Sequence, residues 1–336
     1  MLEDIKKNTR AALRATAGIA LILPVVAATA LQGFVVGPLT GNYTVIPNAI
    51  YKTMGKLFGM KFEFNAASKP LEKDKQTWFV ANHMSIADFI VLGSTLPGTF
   101  AGKGDLLKWP GIAQMARAVK YIGLRRSKEF NPQSRAKIIK NFNAGHNTIM
   151  FPEGTTTPGK TVALFHAGLI TALFGEKGVD KEGKEVALEK DVVVQPVAIR
   201  VKEVAGQNAI GNDDLRNLYS MYDDDNTLRR IWRRMQIKSM TIELTAFEPL
   251  KPTDFKDAKD LINNAALSIA SVVNPGQTTF EKAKIPGQNL NPKTVTMTTP
   301  APAPAPTATP EAEVAATAAA NAATVAKPAV QKGPQL

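Results

Sequence analysis

The 336-residue chain reads as an α/β protein: a central mixed or largely parallel sheet flanked by helices, with an apolar helical membrane motif in front and a disordered tail behind. Three observations predict this. Between residues 59 and 275, compact apolar runs of buried-strand type alternate with segments of helical spacing, as in a sheet covered by helices. From Ala15 to Tyr51 no residue is charged. From Pro300 to Leu336 the chain holds 14 Ala and 7 Pro in 37 residues, too little apolar bulk to offset its ordering entropy.

The first 58 residues form the membrane motif. Lys6, Lys7, Arg10 and Arg14 face only Glu3 and Asp4, and the uncharged run comes next. Ala15–Gly37 exceeds the roughly 20 residues that a helix needs to cross about 30 Å of hydrocarbon. Pro24 predicts a kink, and Pro38 and Pro47 punctuate the stretch beyond it. Three architectures fit. One is a cleaved signal peptide ending at Ala28-Thr29-Ala30. A second is a single spanning anchor with its basic end in the cytoplasm. The third is a helical hairpin dipping into one leaflet, with Tyr43–Phe58 as its second arm.

The main domain covers residues 59–275. Met60–Asn65 alternates like a strand, and Thr77–Val80 is a short β-rich run. Ile86–Leu96 and Leu107–Val119 have helical spacing. Tyr121–Leu124, Thr148–Phe151 and Val192–Ile199 read as buried strands, with a helix over Pro132–Ala144. Leu215–Gln236 is a basic helical region, Met240–Phe247 an alternating strand, and Phe255–Val273 a closing helix. Residues 276–336 are assigned to the low-complexity tail, within which an isolated Ala-rich helix would be marginal in water.

Composition narrows the chemistry. The chain has 41 Lys and Arg against 29 Asp and Glu, a formal charge of +12, which suits anionic headgroups or phosphorylated small molecules. With 7% aromatics and no basic–aromatic ladder, nucleic acid is not an expected partner. The absence of cysteine removes disulfides, thiolate zinc sites and cysteine nucleophiles. With three histidines besides, no metal site is expected.

His83 stands in Asn82-His83-Met84-Ser85-Ile86-Ala87-Asp88, directly after a strand and opening a helix, where α/β sheets present reactive groups. Asp88, in the first helical turn, is placed to set the tautomer of the imidazole and raise its basicity. Such a pair without a serine or cysteine nucleophile suits a base that deprotonates a substrate hydroxyl directly. The second constellation is Phe151-Pro152-Glu153-Gly154-Thr155, a buried strand running into a tight turn whose amides and hydroxyl can hold a phosphate. Thr157, Gly159 and Lys160 add donors.

Asn82-His83-x-Ser85-x-x-Asp88, followed about 65 residues later by Phe151-Pro152-Glu153-Gly154-Thr155, resembles the lysophosphatidic acid acyltransferase family. Lys103–Leu107 through Pro110-Gly111 to Tyr121–Ser127 resembles that family's second block, and Val194–Ile199 its fourth. The resemblance covers roughly residues 50–275. It implies a glycerolipid acyltransferase-like fold and transfer of an acyl group from acyl-CoA or acyl-carrier protein, with no cofactor, to the hydroxyl of 1-acylglycerol-3-phosphate, making phosphatidic acid. His83 and Asp88 would be catalytic. Arg126, Glu153, Gly154, Thr155, Thr156 and Lys160 would bind substrate, with Arg126 also available to the oxyanion and Glu153 to the turn or the glycerol. The implied location is a membrane, the inner one in a bacterium, with the active site facing the cytoplasm. One departure stands out. The family's commonest third block continues Arg-Ser where this chain has Thr156-Thr157, and hydroxyls cannot replace a bidentate guanidinium. Either Arg126 or Arg125, with Lys160, takes the phosphate, or the acceptor is another lysolipid, such as one with a larger headgroup or a lyso-ornithine lipid.

Other residues read as ordinary. His146 is expected in a loop, and His166 lies near the phosphate turn. Arg229, Arg230, Arg233 and Arg234 suit a solvated helix face, or else contact with anionic headgroups. Asp223-Asp224-Asp225 is expected as a helix-entry cap. A secreted hydrolase lacks its nucleophile elbow, since neither Ser85 nor Ser94 has the flanking glycines. A non-catalytic lipid-binding or tethering protein is the remaining alternative, and in it His83 would be dispensable.

Overall fold

The computed structural model describes residues 1–108, 112–125, 131–222, 227–283 and 294–297. At its N-terminus, α1 (Leu2–Ala20) and α2 (Ile22–Leu31) continue through a π-helical turn, Gln32–Val36, into α3 (Gly37–Thr40). The resulting 39-residue rod is long and apolar enough to cross a membrane. Pro24 interrupts it at Leu21: the carbonyl of Ala20 has no N–H to accept from Pro24, and Leu21 relaxes to φ −79°, ψ −11°. Gly41, at φ +70°, reverses the chain, and α4 (Val45–Leu57) returns. The fully buried Gln32 closes this hairpin. Its Nε2 donates to the carbonyl of Asn42 at 2.8 Å, and its Oε1 accepts from the N–H of Ile46 at 2.9 Å.

The remaining elements come in the order β1 (Met60–Phe64), β2 (Gln76–Ala81), α5 (Asp88–Thr95), β3 (Thr99–Lys103), α6 (Ile112–Ala118), β4 (Ile122–Leu124), α7 (Asn131–Asn143) and β5 (Thr148–Met150). Then come the small hairpin β6 (Gly178–Val179) and β7 (Glu185–Val186), β8 (Val192–Val204), β9 (Gln207–Asn208), α8 (Asp213–Asn217), α9 (Thr227–Gln236), β10 (Met240–Ala246), α10 (Ala258–Val273), β11 (Thr279–Glu281) and β12 (Thr294–Thr296). The main sheet runs β1-β10-β8-β2-β5-β3-β4, with β9 hairpinned onto β8. β8, β2, β5, β3 and β4 are mutually parallel, whereas β10 opposes β8 and β1 runs parallel to β10. The sheet is therefore mixed, as the sequence predicts.

Strand alternation feeds two cores. From β2, Trp78 and Val80 point to α7 and α10, meeting Ile138, Phe142, Leu261 and Ile269. Phe79 and Ala81 point the other way, meeting Val91 and Leu92 of α5 together with Ile199 and Leu244. The N-terminal rod is tied to this body at two places. Arg10 donates to the carbonyl of Gln236 at 2.6 Å, and Arg14 to those of Met235 at 2.9 Å and Ile237 at 2.6 Å. These guanidinium groups cap the negative end of α9. Further along the rod, Gly33 lies against Ala118 of α6, so close that a Cβ there would sit 2.8 Å from the Cβ of Ala118. Toward that far end Leu23, Phe34 and Leu39 are about four-fifths exposed.

Several elements differ from the sequence reading. β3 joins the sheet although Thr-Phe-Ala-Gly-Lys shows neither alternation nor an apolar run. β8 continues past Ile199 through Arg200 and Lys202, whose charges pair laterally with Glu243 on β10 and Glu63 on β1. Leu107–Val119 divides into a 3₁₀ turn at Gly104–Lys108 and α6, with 109–111 outside the described residues. Leu215–Gln236 divides into α8 and α9, and 223–226, including Asp223-Asp224-Asp225, lie outside the described residues. Packed structure also runs past residue 276: β11 pairs with β12, burying Phe280 and Met297 in the core. Residues 300–336 lie outside the described residues.

Candidate active site

β2 and β5 are adjacent and parallel, with Val80 opposite Met150. The segments beyond them, Asn82–Asp88 and Phe151–Thr157, therefore leave the same edge of the sheet side by side, the position at which α/β sheets present ligands. Asn82 anchors the first segment by exchanging two hydrogen bonds with the backbone of Ile199 on β8, at 3.0 and 2.8 Å. His83 then turns outward with 13% of its side chain exposed.

Asp88 is fully buried at the start of α5. Its Oδ2 accepts from His83 Nδ1 at 2.8 Å and from the N–H groups of Met84 and Ser85 at 2.7 and 2.9 Å. Its Oδ1 accepts from the Tyr219 hydroxyl at 2.5 Å. Four donors and the positive end of a helix satisfy an ionised carboxylate, which in turn holds His83 with its proton on Nδ1. Nε2 is left as the basic nitrogen. The ring stacks on Phe151, with centroids 4.0 Å apart at 12°, and meets the edge of Phe89 at 6.0 Å. Aromatic packing and the Asp88 bond together fix its plane.

The second segment holds the first from below. Glu153, 2% exposed, accepts the N–H of His83 on Oε1 at 3.1 Å. The carbonyl of His83 accepts from Thr157, from N–H at 2.8 Å and from the hydroxyl at 3.2 Å. The carboxyl of Glu153 has its other oxygen buried without a partner. Burial, aided by the Asp88 charge, pushes its pKa up to about 8. Glu153 is thus a neutral carboxylic acid at neutral pH, and it supports the His83 backbone instead of presenting a charge to solvent.

The other sequence-predicted residues divide. Gly154 takes φ +77°, a conformation that a side chain would strain, beside the exposed His166. Thr155 and Thr156 are half-buried in the same turn. Lys160 stands at the surface, paired with Asp213 at 3.2 Å. Arg126 lies outside the described residues, while Arg125 binds Ser134 through its backbone. His146 is a loop residue, as expected, edge-on to Tyr43 at 5.3 Å, and burial lowers its pKa. Arg229 and Arg233 are exposed on α9, but Arg234 corrects the expectation of a solvated face: it is 7% exposed and lies 4.5 Å over the ring of Tyr219. Nothing in the sequence points to Tyr219, and the basic run that contains Arg234 gives no sign of its burial. A cavity of about 800 Å³ adjoins the site at Met84 and Gly159, lined also by Lys160, Arg200, Asp213 and Arg216. Among the described residues no three His, Asp or Glu side chains are grouped to hold a metal ion.

The sequence profile of the Acyltransferase family matches residues 66–200, which contain both segments. A lyso-ornithine lipid O-acyltransferase of Brucella abortus is 30% identical over 219 residues, covering 64% of this chain and 77% of that protein. The enzyme of the same name from Pseudomonas aeruginosa is 28% identical over 208 residues, covering 60% and 70%. Among solved structures, the 1-acyl-sn-glycerophosphate (LPA) acyltransferase of Thermotoga maritima aligns with 77% of this chain and 96% of its own, at 20% identity and a TM-score of 0.47.

Proposed function

Because the chain belongs to the acyltransferase family, we propose that it moves an acyl group from a thioester donor, acyl-CoA or acyl-carrier protein, to the free hydroxyl of a lysolipid at a membrane surface, and that this lysolipid is lyso-ornithine lipid. The observation that carries the reading is the His83–Asp88 pair, in which the carboxylate occupies Nδ1 and leaves Nε2 as a base at the mouth of the site. His83 Nε2 takes the proton as the acceptor oxygen attacks the thioester carbonyl. The tetrahedral oxyanion collapses, the C–S bond breaks, and the imidazolium returns its proton to the departing thiolate. Asp88 supports the imidazolium while it exists and keeps Nε2 facing the reaction.

Two facts favour an amino-acid headgroup over the glycerol phosphate implied by the sequence resemblance. The relatives in Brucella and Pseudomonas are named for lyso-ornithine lipid. Thr156 occupies the place of the arginine suited to a phosphate monoester, and a lyso-ornithine lipid carries no phosphate. The N-terminal rod supports a monotopic attachment. Both of its tied regions touch the same domain, so a full crossing would set contacts of one body on opposite sides of the bilayer. An arm lying in one leaflet, on the cytoplasmic face, keeps those contacts and buries Leu23, Phe34 and Leu39.

The test is acyl transfer by the detergent-solubilised protein from labelled acyl-CoA and from acyl-carrier protein, with lyso-ornithine lipid and 1-acylglycerol-3-phosphate as acceptors and His83→Ala alongside. Transfer to lyso-ornithine lipid that is lost in the variant supports the whole reading. Transfer only to 1-acylglycerol-3-phosphate overturns the acceptor and keeps the chemistry. Full activity in His83→Ala overturns the mechanism.

A further inference from the structure

Residues 216–221, at the end of α8 and just beyond it, lie across both active-site segments, although they fall outside the 66–200 stretch that the family profile matches. The Arg216 Nε and Ser220 hydroxyl both donate to the carbonyl of Pro158, at 3.1 and 3.0 Å, which holds the turn after Glu153. The N–H of Met221 donates to the carbonyl of Met84 at 2.7 Å, which holds the loop after His83. Between these ties Tyr219 is fully buried and aims its hydroxyl at the oxygen of Asp88 that faces away from His83. Arg234, from α9, covers the Tyr219 ring, donates to the Tyr219 carbonyl and reaches the Ser85 hydroxyl at 3.4 Å.

We propose that Tyr219 is a positioning residue of the His83–Asp88 pair, locked in place by Arg234, so that the working unit is a relay of four side chains. The proposal rests on the reading of His83 as the base. Its physical content is a division of labour on one carboxylate. Oδ2 orients the imidazole and is shared with two backbone amides, while Oδ1 is buried and has the Tyr219 hydroxyl as its donor. Without that hydroxyl an anionic oxygen is left buried and unpaired, which drives the carboxylate to turn toward another donor and take the ring with it. Burial and the Asp88 charge hold the Tyr219 phenol well above its ordinary pKa, so it remains a donor at every working pH.

Polar and titratable groups surround the pair on several elements. Glu153 faces it from the β5 turn, Tyr219 from the strap and Arg234 from α9. On α4, Tyr51 lies against Gly93 of α5. The Tyr219 hydroxyl and the Arg234 cation draw the charge of Asp88 away from His83. Removing the hydroxyl takes away that share and leaves the Asp88 carboxylate free to turn, with loss of the fixed orientation of His83.

The experiment compares wild type, Tyr219→Phe and His83→Ala as full-length solubilised protein, measuring kcat and KM for the acceptor across pH. Phenylalanine preserves the buried ring, and thermal unfolding confirms that the variant is folded. The expected result for Tyr219→Phe is a fall in kcat of about 10- to 100-fold with KM little changed. A Tyr219→Phe enzyme with wild-type kcat, beside an inactive His83→Ala, overturns this proposal and leaves the mechanism standing. An active His83→Ala overturns the mechanism first. A loss matched by a lost folded fraction, or one carried by KM with kcat unchanged, also overturns the proposal.

Discussion

Glu153→Gln exchanges a buried carboxyl for its neutral isostere and separates two descriptions of this residue. The folded pKa stands at about 8 against an ordinary 4.5, because burial disfavours the charged form. Between those values the unfolded chain has released the proton and the folded chain has not. Stability is therefore fully present below pH 4.5 and falls by about 1.36 kcal/mol per pH unit until about pH 8, where the contribution is gone. The whole window is worth about 5 kcal/mol. Glutamine keeps the oxygen that accepts the His83 N–H and, like the protonated carboxyl, places a donor where Oε2 has no partner. The variant should match wild type to within about 1 kcal/mol at pH 5 and be more stable by about 3–5 kcal/mol at pH 8. Denaturant unfolding followed by tryptophan fluorescence at several pH values measures the difference. A constant offset between the two proteins from pH 5 to pH 8 would refute the neutral carboxyl.

Three further outcomes follow from the geometry. Ending the chain after residue 276 removes the fully buried Phe280 and should cost about 3–5 kcal/mol in thermal or denaturant unfolding, whereas ending it after residue 299 should leave both stability and acyl transfer unchanged. Gln32→Leu breaks both hydrogen bonds that close the N-terminal hairpin. Protease cleavage within residues 41–44 should accelerate about tenfold, as for a local loss of about 1.4 kcal/mol, and an unchanged rate would remove Gln32 from that role. Thr156→Arg supplies a phosphate fork in the half-buried turn and should raise kcat/KM for 1-acylglycerol-3-phosphate relative to lyso-ornithine lipid. No change in that ratio would place the headgroup elsewhere.

The most legible parts of the chain are those where local pattern and tertiary environment agree. Thr77–Val80 is apolar almost throughout because both faces of β2 are buried, and His83 comes soon after it, so strand, turn and histidine can be placed from one stretch of sequence. The five-residue relation of His83 to Asp88 is equally readable, because the short turn that leads into α5 creates it. Long-range effects are not readable. Glu153 reads as a residue of the turn or a ligand of the glycerol, and only the approach of the His83 loop makes it a buried neutral support. Arg200 and Lys202 hide a strand extension because their partners lie on β10 and β1. Arg234 belongs by spacing to an exposed basic face, yet α9 packs with that position inward, over a tyrosine fifteen residues earlier. These pairings are properties of the topology, so no window along the chain contains them.

The tie between Arg10 and Gln236 spans 226 residues, and β1 pairs with β10 over a comparable separation. Synthesis proceeds at about 5–20 residues per second, so the apolar rod waits roughly 10–40 s after its own emergence before α9 and β10 exist to receive it. During that interval the most water-averse part of the protein is complete and the body that anchors it is not. A lipid surface is the environment that can shelter the rod meanwhile, so attachment precedes folding, and the domain assembles on an arm already in place. Production detached from lipid should accordingly fail by aggregation of nascent chains, even where the finished enzyme is stable in detergent.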